Sequence, residues 1–244
     1  SLYARIVELD TQLKAGRYRI DPDLSPRDIL EFLANPESGE ISITIPEGFS
    51  VFEIDEKLTE LGLITKNDFT TWTAQNATPL EGYLFPDTYF VFSKNFHPKD
   101  LTDAMQSNFE KKVVQGLAEE LKKNKRSLAE IITMASLLEK EVRHEKDLGL
   151  VSGILWKRLD HGWPLQVDAS LLYGKKDRTL SVQDLREDSP FNTYTRQGLP
   201  KTPIGNPGLK NIRAAMTPVE SPFWFYLTDK DGNAVFAKTN DEHN

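Results

Sequence analysis

The chain has 244 residues and a formal net charge of −7, with 39% hydrophobic and 27% charged residues. This composition supports a buried core, and the acidic balance argues against a nucleic-acid-binding protein, which typically carries basic residues for phosphates. The sequence has no cysteine, which excludes disulfides, thiolate catalysis and cysteine-based zinc sites. No apolar run is long enough to cross a bilayer. We therefore expect an excised soluble region, with any anchor or export signal outside these residues.

Four short elements are predicted in the first 62 residues. Ser25 precedes a proline, an acidic first turn and apolar residues at helical spacing, which predicts a helix starting after Ser25. Ser50 and Glu53 have the spacing of a capping box, and Gly62 is a typical helix terminator. The predicted order is a strand at 18–20, the helix from Ser25, a strand over 41–45 and the helix from Ser50 to Gly62. Such an order is typical of one small α/β module.

Two longer segments follow. Residues 80–92 are rich in aromatic side chains and have a Pro-Asp turn at their centre. Residues 98–124 have the pattern of a solvated amphipathic helix that ends in the basic run KKNKRS. Cations at that position face the negative end of the helix dipole, so we interpret the run as a helix terminus and linker.

The most informative helix is predicted over 127–143, where Ser127 and Glu130 form a capping box. Its apolar side chains cover an arc about 220° wide, which predicts a helix at the centre of the core. Glu139 and Glu141 both fall inside this arc. Burial among apolar side chains raises a carboxyl pKa and makes a proton donor near neutral pH. Alternatively, one or both carboxyl groups lie at the helix end, in solvent or in a salt bridge.

The remaining C-terminal pattern predicts three further features. Residues 147–160 form another amphipathic helix, and a helix is expected at about 207–216. The segment 189–208 is polar, rich in glycine and proline, and longer than an ordinary connection, which is typical of a binding loop. Two strands are predicted on either side of the turn signal Asp231-Gly232.

Several common catalytic patterns are missing from the sequence. The four histidines are scattered, and His144-Glu145 lacks the second histidine of a zincin helix. No phosphate-binding glycine loop and no Gly-x-Ser-x-Gly nucleophile turn occur. Carboxylate acid–base chemistry and simple binding are the classes that remain.

Four blocks of sequence carry a resemblance to a known family: EKE at 139–141, QVD at 166–168, NTY at 192–194 and GLP…PIGNPG over 198–208. Together with IPEG, EGYLFPDTY and the order of the blocks along nearly the whole chain, they make the sequence similar to the YceG-like, MltG family of endolytic murein transglycosylases. The resemblance implies cleavage of the β-1,4 bond between N-acetylmuramic acid and N-acetylglucosamine in nascent peptidoglycan. It also implies a product with a 1,6-anhydro end and a cleavage that terminates glycan strand elongation in cell wall biogenesis.

The same resemblance implies an α+β fold with two parts. An N-terminal region over 1–105 contains a small LysM-like βα module at about 40–100. A larger mixed α/β catalytic domain over 106–244 contains the buried central helix. The family also implies a single-pass inner-membrane protein, with its anchor ahead of Ser1 and its catalytic region outside the cytoplasm. Peptidoglycan glycan strands and peptidoglycan synthases (penicillin-binding proteins) are the implied partners, with no nucleic acid, metal or organic cofactor.

By resemblance, the catalytic residue is Glu141, since it matches the second glutamate of the EKE block. Glu139 is expected to be a structural or supporting carboxylate beside the substrate. The residues expected to hold the N-acetyl and hydroxyl groups of the sugar are Gln166, Asp168, Asn192 and Tyr194. Alternatively, Asp168 caps a turn, and Asn192 forms hydrogen bonds with the backbone of its loop.

Two further alternatives remain open. The aromatic residues Tyr83, Phe85 and Tyr89 either stack on sugar rings or belong to the core. The whole chain is either an enzyme or a non-catalytic peptidoglycan-binding scaffold of the cell-wall synthesis machinery. An ordinary hydrolase is a third, weaker interpretation, because it needs Asp168 or another carboxylate to activate water.

Overall fold

The computed structural model describes residues 13, 16–18, 20, 22–34, 39–175, 179–228 and 233–243. Helices and two small antiparallel sheets make up the regular structure of these residues, which confirms the predicted mixture of α and β. None of the helices in these ranges is long and apolar enough to cross a membrane. The α-helices are α1 (Pro26–Ala34), α2 (Val51–Glu60), α3 (Asp68–Ala74), α4 (Pro98–Phe109), α5 (Ala118–Lys123), α6 (Leu128–Glu141), α7 (Glu145–Asp160), α8 (Asp168–Leu172), α9 (Leu209–Met216) and α10 (Asn240–His243).

The N-terminal half contains a two-stranded sheet and two helices that connect its strands. Strand β1 (Glu40–Thr44) pairs antiparallel with β2 (Thr88–Phe92), with Ile43 opposite Tyr89. Helices α2 and α3 lie between the two strands in the sequence. Strand β1 confirms the alternating pattern, and β2 lies inside the aromatic segment 80–92, for which no strand was predicted.

The helix starts at Ser25 and Ser50 are confirmed. The Ser50 hydroxyl accepts from the Glu53 N–H, and the Glu53 carboxylate accepts from the Ser50 N–H, so the capping box is present. By contrast, the strand predicted at 18–20 is wrong for the residues that the structure describes there. Tyr18 and Ile20 lie outside any strand, and Arg19 lies outside the described residues.

The continuous helix predicted over 98–124 is also wrong. Helix α4 passes into a π-helical segment, Glu110–Gln115, and the α-helical geometry returns only in α5. The break is made possible by Gly116, where a Cβ atom would lie only 2.5 Å from the Lys112 carbonyl oxygen. A hydrophobic repeat predicts which face is buried, but it does not detect this close backbone approach.

Two hydrophobic cores result. The first joins the N-terminal sheet to α2, α3 and the first turns of α4, with Leu101 and Met105 among its members. The second surrounds α6, in which every residue from Ile131 to Leu138 is buried. Phe109 at the end of α4 belongs to this second core. Helix α4 therefore joins the two cores, and the boundary between 1–105 and 106–244 stays a prediction.

The C-terminal half follows the predicted order. Helix α6 begins with the predicted Ser127–Glu130 capping box and ends at Glu141, two residues before the predicted end. The segment 189–208 contains neither helix nor strand. Strands β3 (Phe225–Thr228) and β4 (Ala234–Ala237) pair antiparallel as predicted, and the Asp231-Gly232 turn lies outside the described residues.

Candidate active site

Glu141 is the last residue of α6, at the point where the buried helix reaches a cleft. After it the backbone becomes extended, with φ −111° and ψ 117° at Val142. The carboxylate of Glu141 accepts a hydrogen bond from the Ala169 N–H and another, 3.3 Å long, from the Tyr226 hydroxyl. Burial and the negative charge of Asp168 raise its pKa from 4.5 to about 7. Glu141 is therefore balanced between its acidic and basic forms near neutral pH.

The cleft in front of Glu141 has a volume of about 470 Å³. Its walls come from α6, α7, α8, the segment 189–208, strand β3 and α10. The lining residues are Glu141, Arg158, Gln166, Asp168, Tyr194, Phe225, Tyr226, Leu227 and Asn240. The tertiary structure thus brings together four of the six predicted site residues, which are Glu141, Gln166, Asp168 and Tyr194.

Hydrogen bonds hold the QVD and NTY blocks side by side. The Gln166 N–H donates to the Thr193 carbonyl at 3.0 Å, and the Val167 N–H donates to the Thr193 hydroxyl at 2.9 Å. The Tyr194 hydroxyl donates to the Asp168 carboxylate. Gln166 has a left-handed backbone, with φ 55°, between two buried neighbours, and its own side chain is exposed in the cleft. A non-glycine residue in that conformation is strained, which is common where a side chain must point into a site.

Arg158 and Tyr226 also line the cleft, although no sequence pattern predicted them there. Arg158 is only 5% exposed, and its guanidinium donates to the carbonyls of Trp224 and Leu165, both at 2.8 Å. Burial lowers the pKa of Arg158, although an arginine keeps its charge under all ordinary conditions. The position of Arg158 in an amphipathic helix is typical of a surface cation, so its sequence context carries no sign of burial.

Asn192 and Glu139 lie outside the cleft lining. The Asn192 side chain is buried; its amide N–H donates to the Glu187 carbonyl at 2.7 Å, and its oxygen accepts from the Tyr194 N–H at 2.8 Å. It therefore shapes the loop that carries Tyr194. The Glu139 carboxylate accepts from the Gly208 N–H at 2.8 Å and from the Asn211 amide at 2.6 Å, at the start of α9. Burial raises the pKa of Glu139, but its contacts are those of a residue that anchors a helix.

Asn206 connects the C-terminal half to the N-terminal unit. It is fully buried; its side-chain oxygen accepts from the N–H groups of Gly82 and Leu84, and its amide donates to the Phe49 carbonyl and to Glu81. Glu81 also accepts from the Val51 N–H at 3.0 Å and the Tyr173 hydroxyl at 2.8 Å. We call Asn206 and Glu81, with these partners, the junction. The glycine- and proline-rich segment thus holds the two halves of the chain together.

Sugar stacking by Phe85 and Tyr89 is wrong, because these side chains are only 6% and 5% exposed and belong to the two cores. Tyr83 is half-buried and packs edge-on against Phe109, with 5.1 Å between the ring centroids. The alternative interpretation, that these aromatic residues form the core, is the one that the structure supports. Among the described residues, no group of three or more histidine or acidic side chains has the arrangement of a metal site.

The fold and the cleft together define a mixed α/β protein with the form of an acid–base enzyme, in which one half-buried carboxyl faces a polar cleft. The chain belongs to the YceG-like family, whose sequence profile matches residues 1–244.

Relatives and one solved structure agree with this assignment. The chain is 34% identical over 260 residues to a Bacillus subtilis protein named endolytic murein transglycosylase, covering 95% of this chain and 71% of the relative. A Streptococcus pneumoniae protein of the same name is 27% identical over 286 residues, and this chain spans about half (51%) of its length. The crystal structure of a yceG-like protein from Listeria monocytogenes superposes with a TM-score of 0.71 at 27% identity, covering 99% of this chain and 87% of that one.

Proposed function

We propose that this chain is an endolytic murein transglycosylase. It cleaves the β-1,4 bond between N-acetylmuramic acid and N-acetylglucosamine inside a peptidoglycan strand and leaves a 1,6-anhydro end. The family assignment and the names of the relatives support this substrate. The single observation that carries the proposal is the Glu141 carboxyl, which has a pKa of about 7 and faces a polar cleft.

One carboxyl is sufficient for this reaction because the substrate supplies its own nucleophile. Glu141 donates its proton to the glycosidic oxygen while the bond from that oxygen to C1 of N-acetylmuramic acid breaks. The C6 hydroxyl of the same sugar attacks C1, and its proton passes to the Glu141 carboxylate. The ring closes as the 1,6-anhydro sugar and Glu141 returns to its protonated state. Intramolecular attack provides a high effective concentration of nucleophile without a bound water.

The other polar residues of the cleft act on charge and orientation. Positive charge develops at C1 in the transition state, and the Asp168 carboxylate, which lines the same cleft as Glu141, stabilises it electrostatically. The Tyr194 hydroxyl holds Asp168 in place through its hydrogen bond. Gln166, exposed in the cleft, provides an amide to bind the N-acetyl or hydroxyl groups. Asn192 acts indirectly, through the shape of the loop that carries Tyr194.

The remaining parts of the proposal concern the N-terminal half and the cellular setting. The unit β1–α2–α3–β2, with its antiparallel strand pair, is proposed to be LysM-like. Action on nascent peptidoglycan takes place outside the cytoplasm. A membrane anchor ahead of Ser1, peptidoglycan synthases as partners and the termination of strand elongation remain predictions from the family.

The test is the chemical identity of the new strand ends. Un-cross-linked glycan strands are incubated with the wild-type protein, Glu141→Gln and the matched control Glu139→Gln, and the products are analysed by mass spectrometry. We expect anhydro ends, lighter by one water than reducing ends, from the wild type and from Glu139→Gln. Glu141→Gln should form them about 10³-fold more slowly.

Each contrary outcome has a distinct meaning. Reducing ends instead of anhydro ends would support a hydrolase that uses Asp168 to activate water. Loss of product only in Glu139→Gln would transfer the catalytic role to Glu139. Strand binding without cleavage by the wild type would support the peptidoglycan-binding scaffold.

A further inference from the structure

An aromatic ridge extends from the cleft onto the protein surface. It consists of Trp163, Trp224 and Phe225, and Phe225 also lines the cleft in front of Glu141. The Trp163 and Trp224 rings lie 4.6 Å apart between centroids at an interplanar angle of 34°, and the Trp163 and Phe225 centroids are 6.2 Å apart. Trp163 is nevertheless 43% exposed. An exposed indole directly beside a polar cleft is a potential binding surface.

The ridge is rigidly supported from below. Arg158 donates to the carbonyl of Trp224 and to that of Leu165, two residues after Trp163, both at 2.8 Å. The backbone N–H of Trp163 donates to the backbone carbonyl of Arg158 at 2.8 Å. Because Arg158 is buried and also lines the cleft, one side chain fixes the ridge relative to the site. Such preorganisation lowers the entropy cost of binding a ligand.

Within the ridge, Trp224 is a supporting residue and Trp163 is the accessible one. Trp224 contacts Trp163, and the Lys157 ammonium lies 4.3 Å from its ring centroid. The His161 ring packs edge-on against Trp224 at 5.1 Å. Trp224 therefore has three ring or cation partners, whereas Trp163 combines its packing against Trp224 with a large exposed area.

We propose that Trp163 is a sugar-stacking subsite that binds a pyranose of the glycan strand just beyond the cleft. This inference rests on the proposed function. A long polymer that is cleaved in its interior must extend beyond a cleft of only about 470 Å³. The apolar C–H face of a pyranose matches the face of an indole. Phe225 makes the ridge continuous with the cleft wall, so a strand that leaves on this side passes over Trp163.

Binding and cleavage are tested separately. Binding of un-cross-linked glycan strands is measured by calorimetry with Glu141→Gln as the parent, so that the ligand is not consumed. We expect Trp163→Ala to weaken binding about tenfold, because a single aromatic contact is lost, and Trp163→Phe to retain most of the affinity. In the catalytically intact protein, Trp163→Ala should raise KM for long strands about tenfold and affect kcat much less.

A control is Val182→Ala, since Val182 is 68% exposed and lies outside the cleft, the ridge and the unit proposed to be LysM-like. It should leave strand binding unchanged, and thermal unfolding checks that all variants are folded. Equal strand binding by Trp163→Ala and its parent overturns the subsite, as does a parent that does not bind strands. Binding that depends on Trp163, without cleavage by the wild type, supports the subsite and refutes the proposed function.

Discussion

The cleft around Glu141 and the junction around Glu81 contain two carboxyls with similar acidity and different surroundings. Burial is the largest cause of the raised pKa in both, and each pKa reaches about 7. Glu81 is 5% exposed and accepts hydrogen bonds from Val51, Tyr173 and Asn206. Glu141 accepts from Ala169 and Tyr226 and also borders an open cleft. A raised pKa therefore does not identify a catalytic acid unless a substrate can reach the group.

Glu139 extends the comparison along α6. Only one residue separates it from Glu141, but its carboxylate accepts hydrogen bonds from the Gly208 N–H and the Asn211 amide at the start of α9. Within one helix, the Glu139 carboxyl therefore anchors α9, whereas the Glu141 carboxyl faces the cleft.

The largest expected effect separates the two carboxyls with raised pKa by activity. Glu141→Gln should lower the rate of strand cleavage about 10³-fold, because a general acid is lost. Glu81→Gln should cost less than about tenfold when assayed well below its unfolding temperature, because Glu81 does not reach the substrate. Initial rates of anhydro-end formation measure both. A comparable loss in the two variants would show that the junction takes part in catalysis.

The next effect concerns the stability of the junction. Asn206→Asp replaces a donor with an oxygen that faces the Phe49 carbonyl and the Glu81 carboxylate. We expect the free energy of unfolding to fall by about 3 kcal/mol or more, since buried acceptors then face each other. Denaturant unfolding measures the change. The control Asn76→Asp, at an exposed residue, should cost less than about 1 kcal/mol. An Asn206→Asp variant as stable as the wild type would contradict the proposed strength of the junction.

A smaller effect links Glu141 to stability through pH. The folded-state pKa of about 7 exceeds the ordinary value of 4.5, so the native state binds this proton more tightly than the unfolded state. The wild type therefore loses stability as pH rises from 4.5 to 7. Glu141→Gln should be more stable than the wild type by about 3 kcal/mol at pH 8 and equal to it below the ordinary pKa.

Thermal unfolding across the pH series measures this gain. The exposed control Glu56→Gln should show no pH-dependent gain. Glu81→Gln should gain less stability at high pH than Glu141→Gln does. The new amide N–H at position 81 would face a junction partner that is itself a hydrogen-bond donor. A gain for Glu141→Gln that is constant with pH would contradict the raised pKa.

The smallest effect is a shift of the pH profile, caused by the charge of Asp168 and measured apart from the fall in kcat that loss of its transition-state stabilisation produces. Asp168→Asn removes a negative charge that raises the pKa of Glu141, so that pKa should fall. The high-pH limb of the kcat/KM profile should then shift to lower pH by about half a unit to one unit. Asp103→Asn, which removes an exposed carboxylate paired with Lys99 on α4, should leave the profile in place. A shift to higher pH would contradict the electrostatic role of Asp168.

Local patterns in the sequence determined much of the secondary structure. The capping boxes at Ser50 and Ser127 and the alternation in β1 depend on residues a few positions apart, and each is present in the structure. The wide apolar arc of α6 likewise predicted a central buried helix. The break after α4 was not predictable in this way, because it depends on the approach of one backbone carbonyl to Gly116.

The candidate site shows the same difference between local patterns and tertiary contacts. The sequence by itself identified two acidic candidates on α6 and a family whose motif selects Glu141, but helical periodicity treated both carboxyls alike. Only the tertiary structure decided that Glu139 faces α9 whereas Glu141 faces the cleft. It also brought Arg158 and Tyr226 to the cleft from distant parts of the chain. The physical reason is that burial and charge at a carboxyl depend on every element packed around it, and those elements are far apart in sequence.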